Sequence, residues 1–396
     1  MVFEHVLEGP PDAIFGLTGA FQADARSNKV NLLVGIYKDE HLRAELLPSV
    51  KQAKEEIYPE DLKADYLPID GYGPLIDLLG PVIFGEEIWG KMPIYGAHTT
   101  GGTGALRIGA ELLAQEVTRT VYIPDPTWPN HRSVLEKAGC KVENYTYYNR
   151  QIKNFDFHAV CKSLEAMPEK AAVVLHACCH NPTGCDPTEN EWKAISQLML
   201  RKKLVPFFDF AYQGLGDGLD KDAEAVRIFA RDGHEMLVAY SCSKNFSLYC
   251  QRVGALYIVN RNEATKGRVA SQVKRIIRAL YSNPPAHGAL IAAHVLKKEG
   301  LRRQWVQDLG AIRHRLNTIR EKFVHLLITQ AKNTEFQYLK EHKGMFSFVD
   351  LSKAQVQKMI QKYGIYLLDN GRISIAGLTA ENVGYVVSSI LSVSER

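Results

Sequence analysis

Between about residue 95 and residue 260, the sequence alternates short, continuously apolar runs with amphipathic stretches. The runs span residues 121–123, 172–178, 205–210, 236–240 and 254–259, and residues 189–202 and 223–231 carry helical periodicity between them. A strand with no polar alternation is one buried on both faces, as in a parallel sheet covered by helices. Strands that alternate with helices predict an α/β fold of three layers. After residue 312 the pattern changes to a long helical stretch, 312–331, followed by short strands around 345–348 and 372–375. This predicts a second, smaller α+β domain.

Three of the apolar runs end in polar residues. Cys178-Cys179-His180-Asn181-Pro182 follows one, Asp209-Phe210-Ala211-Tyr212 ends another, and Ser241-Cys242-Ser243-Lys244 follows a third. Open α/β sheets bind ligands beyond the carboxyl ends of their strands, so three such clusters predict one site. Lys244 follows a buried strand, and a desolvated amine is nucleophilic toward aldehydes, which is Schiff-base chemistry. Asp209 lies within an apolar run and needs a cation or a hydrogen-bond partner. Gly101-Gly102-Thr103-Gly104 opens a helical run, 105–114, and a glycine turn at a helix start offers free N–H groups to a phosphate. Arg278 and Arg372 suit a substrate with two carboxylates.

Several classes are excluded. The 396 residues carry 48 basic and 44 acidic side chains, a net charge of +4 without a dense Lys/Arg run, so nucleic acid is not an expected partner. The N-terminus carries Glu4, Glu8 and Asp12, unlike a secretory or mitochondrial leader, and no apolar run reaches the ~20 residues of a membrane span. A soluble, cytoplasmic protein is expected. The seven cysteines have no framework spacing, and Cys178-Cys179-His180 matches no zinc pattern, so neither disulfides nor a metal is expected. Residues 85–91 spell GxxxxGK, but Met92 stands where a hydroxyl must follow. The SxxK of Ser241–Lys244 lacks the SDN and KTG boxes of acyl-transferases.

Taken in order, these strings resemble the aspartate aminotransferase family of fold type I, in the subgroup holding the bacterial aspartate and aromatic enzymes. The carrying segments are residues 31–39, 66–71, 127–131, 180–184, 209–214, 243–246, 252–254 and 281–287. The resemblance implies a central, mostly parallel sheet in a large cofactor domain, residues 45–311. It implies a small domain formed from 13–44 and 312–396, and an N-terminal arm, 1–12. It also implies a homodimer with active sites shared between subunits, and pyridoxal 5′-phosphate as cofactor.

Roles follow by resemblance. Lys244 is similar to the lysine that holds the cofactor, and Asp209 to the partner of its pyridinium nitrogen, with His131 orienting Asp209. Trp128 resembles the ring stacked on the cofactor, with an N–H that reaches the substrate's side-chain carboxylate, and Tyr212 and Asn181 the partners of the cofactor's phenolic oxygen. Gly102, Thr103, Ser241, Ser243 and Arg252 would hold the phosphate, with Tyr66 from the other subunit. Arg372, assisted by Asn181 and the Gly35 backbone, would hold the α-carboxylate. Arg278 of the other subunit would hold the distal carboxylate. The implied reaction is ping-pong transfer of the amino group of L-aspartate to 2-oxoglutarate, the alternative being a broad aromatic aminotransferase. Thr103, Asn283 and Lys38 resemble the aspartate-type choices. Cys242, Cys250-Gln251 and Asn370 depart from the usual residues without removing a catalytic group.

Overall fold

The computed structural model describes residues 2–9, 13–33, 35–58 and 65–394. Met1, residues 10–12 of the expected arm, and Val34 lie outside them.

Seven strands form the central sheet: β1 (Ile94–Thr100), β2 (Thr120–Asp125), β3 (Lys141–Thr146), β4 (Ala172–His176), β5 (Val205–Phe210), β6 (Met236–Ser241) and β7 (Val253–Val259). Their order is β1-β7-β6-β5-β4-β2-β3. The pairs along β6-β5-β4-β2-β3 are parallel, and β7 runs antiparallel to both of its neighbours. The reversal at β7 was not expected from its apolar run. Only residues 242–252 join β6 to β7, too few for the helical crossover that a parallel return requires.

Successive residues of these strands feed two separate cores. Val173, Leu175, Phe208, Phe210, Val238 and Tyr240 pack on one face, and Ala172, Val174, Phe207, Leu237 and Ala239 on the other. This explains the unbroken apolar runs of β4, β6 and β7, in which every residue is buried. Each fully buried aliphatic or phenyl side chain contributes about 1.5–3 kcal/mol. The parity also orients the polar strand ends. His176 pairs in register with Asp209, and Asp209 with Ala239, so both polar residues continue the face of Val174, Phe207 and Leu237.

On that face the helix Gly101–Glu116 starts where β1 ends and packs across β6 and β7. The helix Asn130–Lys137 follows β2, and its first turn buries His131.

The helical stretch expected at 312–331 begins earlier, at Glu299, and runs unbroken to Ala331. Its buried stripe, Leu301, Trp305, Leu309, Ile312, Leu316, Ile319 and Phe323, keeps helical spacing across residue 312. The later segments form a two-stranded antiparallel sheet of Phe346–Phe348 with Arg372–Ser374, and Val30–Asn31 pairs in parallel with Ile365–Tyr366. Among the described residues, no helix is long and apolar enough to cross a membrane.

Candidate active site

The carboxyl ends of β4, β5 and β6 bring the expected residues together. Asp209 Oδ2 lies 3.0 Å from His131 Nε2, and both side chains are buried. Burial alone would raise the Asp209 pKa. The hydrogen bond from His131 and the neighbouring His131, His176 and Lys244 outweigh it, and the net shift is downward. The network continues, because Thr127 Oγ lies 2.8 Å from His131 Nδ1 and 2.9 Å from His176 Nε2. Burial, then the adjacent His180 and His131, holds His176 well below its ordinary pKa, so it is neutral. A carboxylate only accepts, so His131 Nε2 donates to Asp209. The Thr127 hydroxyl bridges His131 Nδ1 and His176 Nε2, with donor and acceptor roles set by the tautomers of the two rings.

A phosphate cradle lies on the same face. Thr100, before the helix Gly101–Glu116, makes no side-chain capping bond, so the first N–H groups stay available. A Cβ on Gly101 would stand 2.6 Å from Arg252 Nη2, and one on Gly102 would stand 3.0 Å from Ser241 Cβ. Only glycine lets the guanidinium and the serine approach the helix start this closely. Arg252 Nη1 also donates to Ser243 Oγ at 3.4 Å, and the Ser243 N–H donates to Ser241 Oγ at 3.2 Å. Thr103 is half-buried in the first helical turn. A cation, two hydroxyls and a helix N-terminus suit a phosphate dianion.

Lys244 Nζ lies 4.8 Å from the centre of the Tyr212 ring. Burial, opposed by Asp209 and reinforced by Arg252 and Arg372, lowers its pKa to about 8. The amine is therefore partly unprotonated near neutrality. Burial raises the Tyr212 phenol, which remains a proton donor. Trp128 is half-buried and meets the His131 ring edge-on, with centroids 5.3 Å apart.

Arg372 is 1% exposed. Its Nη1 donates to Asn181 Oδ1 at 3.1 Å, Nη2 donates to the Leu33 carbonyl, and the guanidinium lies 4.3 Å from the centre of the Phe346 ring. Its Nε has no partner, and among the described residues no carboxylate pairs with it. Gly35 borders the same ring, since a Cβ there would stand 3.0 Å from Phe346 Cζ.

Two expected residues are not gathered in this chain. Tyr66 is 88% exposed, and Arg278 is exposed in the last turn of the helix Glu263–Leu280. Conversely, Thr127, His176, the Leu33 carbonyl and Phe346 were given no role above. The period of two in β4 carried a signal for His176, which shares its face with Ala172 and Val174. The spacing of four between Thr127 and His131 carried another.

Cys178, Cys179 and Asp222 bring potential ligand atoms within 4.8 Å of one another. Asp222 is already committed, because it accepts from the backbone N–H groups of Gly214, Gly216 and Asp217 and so organises that loop.

The sequence and the fold have close counterparts. The family described as aminotransferase class I and II matches residues 27–390. Aspartate aminotransferase of Escherichia coli (strain K12) is 40% identical over 395 residues, covering 99% of this chain and 100% of that protein. The crystal structure of aromatic-amino-acid aminotransferase from Burkholderia pseudomallei, covalently bound to pyridoxal phosphate, superposes with a TM-score of 0.96 at 39% identity, covering 100% of both chains. The broad specificity aminotransferase from Leishmania mexicana superposes with a TM-score of 0.95 at 37% identity, covering 99% of this chain and 98% of that one. On this evidence the chain belongs to the class I and II aminotransferases, within the aspartate aminotransferase family.

Proposed function

We propose that this aminotransferase moves the amino group of L-aspartate to 2-oxoglutarate by a ping-pong reaction, with pyridoxal phosphate as cofactor. The observation that carries the substrate reading is Arg372, a buried cation whose guanidinium, among the described residues, hydrogen-bonds only Asn181 and the Leu33 carbonyl. A buried charge without a counter-ion is costly, and a bidentate substrate carboxylate would supply one.

When bound, the cofactor supplies an aldehyde that condenses with amines and a protonated ring that draws electrons from the substrate Cα. Gly102, Thr103, Ser241, Ser243 and Arg252 would hold its phosphate. Asp209, oriented by His131, would keep the proton on the ring nitrogen. Tyr212 and Asn181 would hold its phenolic oxygen, and Trp128 would stack on the ring. Lys244 would anchor the cofactor, and its low-pKa nitrogen, when free, would remove the substrate Cα proton and later return it, a general-base role worth about 10²–10⁴-fold.

The full site needs a second copy of the chain. The exposure of Tyr66 and Arg278 supports a homodimer in which each subunit lends these two residues to the other's site. The exposed Val2, Phe3, Val6 and Leu7 support an N-terminal arm that crosses to the partner. Residues 13–44 and 312–396 form the small domain beside the cofactor domain, 45–311. The pairing of Val30–Asn31 with Ile365–Tyr366 and the Arg26 bonds to the Ile360 and Gln361 carbonyls support that grouping.

A second reading is broad activity on aromatic amino acids. It is favoured by the likeness to the Burkholderia and Leishmania enzymes and by the exposed position of Arg278, from which it could swing aside. Single-turnover mixing with aspartate, phenylalanine and tyrosine separates the two. A preference for aspartate of about a thousandfold, ~4 kcal/mol, supports the first reading, and values within about tenfold support the second.

A further inference from the structure

We propose that Trp305 is a positioning residue for Lys244, fixing the turn that carries the amine to the long helix Glu299–Ala331. The inference rests on the role of Lys244 proposed above. Trp305 Nε1 donates to the backbone carbonyl of Asn245 at 2.6 Å. The indole also stacks on Phe246, with centroids 4.6 Å and planes 14° apart. Trp305, Asn245 and Phe246 are each 0% exposed. The two residues that follow Lys244 are thus clamped by one side chain, through a hydrogen bond and a stacked ring.

The other supports of the turn leave one group unheld. Cys242 N donates to the Val253 carbonyl, Phe246 N to the Cys242 carbonyl, Ser247 N to the Lys244 carbonyl, and the Asn245 amide to the Tyr240 hydroxyl at 2.7 Å, beside the Ser243 bonds to Ser241 and Arg252. None of these holds the Asn245 carbonyl, a buried acceptor that needs a donor. The same helix is tied elsewhere to segments near the substrate arginine. Asp308 accepts from Ser49, Arg315 donates to the Asp39 and Leu378 carbonyls, and Arg320 donates to the Gly344 carbonyl. From Trp305 to Arg320 the helix rises about 22 Å. One rigid element therefore reaches from the lysine turn to the segments flanking Gly35 and Arg372.

Lys244 faces Asp209, Arg252, Arg372 and the Tyr212 ring. A turn released from Trp305 lets the amine relax toward water, which relieves its burial and raises its titration midpoint. Two variants test this. Trp305→Phe keeps most of the ring and removes the N–H. Trp305→Gln restores an N–H donor the same number of bonds from Cα.

In the cofactor-free protein, the pH dependence of Lys244 carbamylation by cyanate is read by peptide mass spectrometry. In the holoenzyme, kcat and KM are measured. For Trp305→Phe the midpoint should rise by about half a pH unit or more. Its kcat should fall about tenfold with KM nearly unchanged. Trp305→Gln should return the midpoint toward the wild-type value. An unchanged midpoint and kcat in folded Trp305→Phe overturn the proposal, as does an equal midpoint shift in both variants, which would make the effect one of packing. If Trp305→Phe does not fold, Phe246→Leu releases the other half of the stack and carries the same expectation. Normal turnover by Lys244→Ala would instead refute the role of the lysine, a separate failure that leaves the midpoint unaffected.

Discussion

Asp209 and His131 meet at 3.0 Å, although 78 positions separate them in the chain. The contact joins the end of a central strand to the first turn of the helix that follows another strand. It keeps ionised the carboxylate that we propose as counter-ion to the cofactor's ring nitrogen. Asp209→Ala leaves the buried His131 without its acceptor and removes that counter-ion. We expect a stability loss of about 3–5 kcal/mol in the cofactor-free protein. Weaker cofactor binding should accompany it. Urea unfolding and a cofactor titration check both, and wild-type affinity would contradict the role given to Asp209.

Thr127 connects the two histidines of the same chain. Thr127→Val keeps the shape and removes the hydroxyl, so His131 Nδ1 and His176 Nε2 lose their partner. Unsatisfied buried groups cost about 1–3 kcal/mol each. A lower melting temperature and a several-fold lower kcat are expected. An unchanged pH profile of kcat would show that Asp209 does not sense the far end of the chain.

Lys244 should cost stability in the cofactor-free protein. Burial lowers its pKa from 10.5 to about 8. Between those values the unfolded chain binds more protons than the folded one, so stability rises with pH across that window. Below it the penalty is complete, on the order of 3 kcal/mol before any relaxation of the site. Lys244→Met should therefore be more stable than the wild type at pH 7 by about 1–3 kcal/mol. That gap should close by pH 10.5. Urea unfolding at both pH values decides it, and a gap independent of pH would mean that the methionine acts through packing alone.

Arg372 offers a planar fork whose remaining N–H groups, among the described residues, meet no carboxylate. Arg372→Lys keeps the charge and loses the fork. KM for aspartate should rise about 30–100-fold, which corresponds to ~2–3 kcal/mol. If KM moves less than threefold in steady-state assays, Arg372 does not hold the substrate carboxylate.

Sharing of sites between subunits has a direct test. Lys244→Ala and Arg278→Ala should each be nearly inactive toward aspartate. After unfolding and refolding together, half of the dimers are mixed, and each mixed dimer holds one intact site. Recovery of about a quarter of wild-type activity is expected from random reassortment of a two-fold dimer. No recovery would mean that Arg278 serves the site of its own chain.

Much of this molecule was legible in the order of its residues. Unbroken apolar runs such as 205–210 report strands buried on both faces, and that condition is local. The polar groups placed at the ends of those runs, Asp209 and the Ser241–Lys244 turn, were expected to share a site because strand ends in such sheets converge. Residue chemistry then distinguished an amine, a counter-ion and two guanidinium groups. The tertiary structure decided what depends on distant partners. The antiparallel course of β7 follows from the short connection, residues 242–252, that joins it to β6, not from its own residues. The Thr127–His176 link needs the register of β4 beside β2 and the rotation of the helix that carries His131. The hold of Trp305 on Asn245 needs the long helix to begin at Glu299 and cross behind the lysine turn. Periodicity shows which face of an element is buried, but only the packed chain decides which other element that face meets.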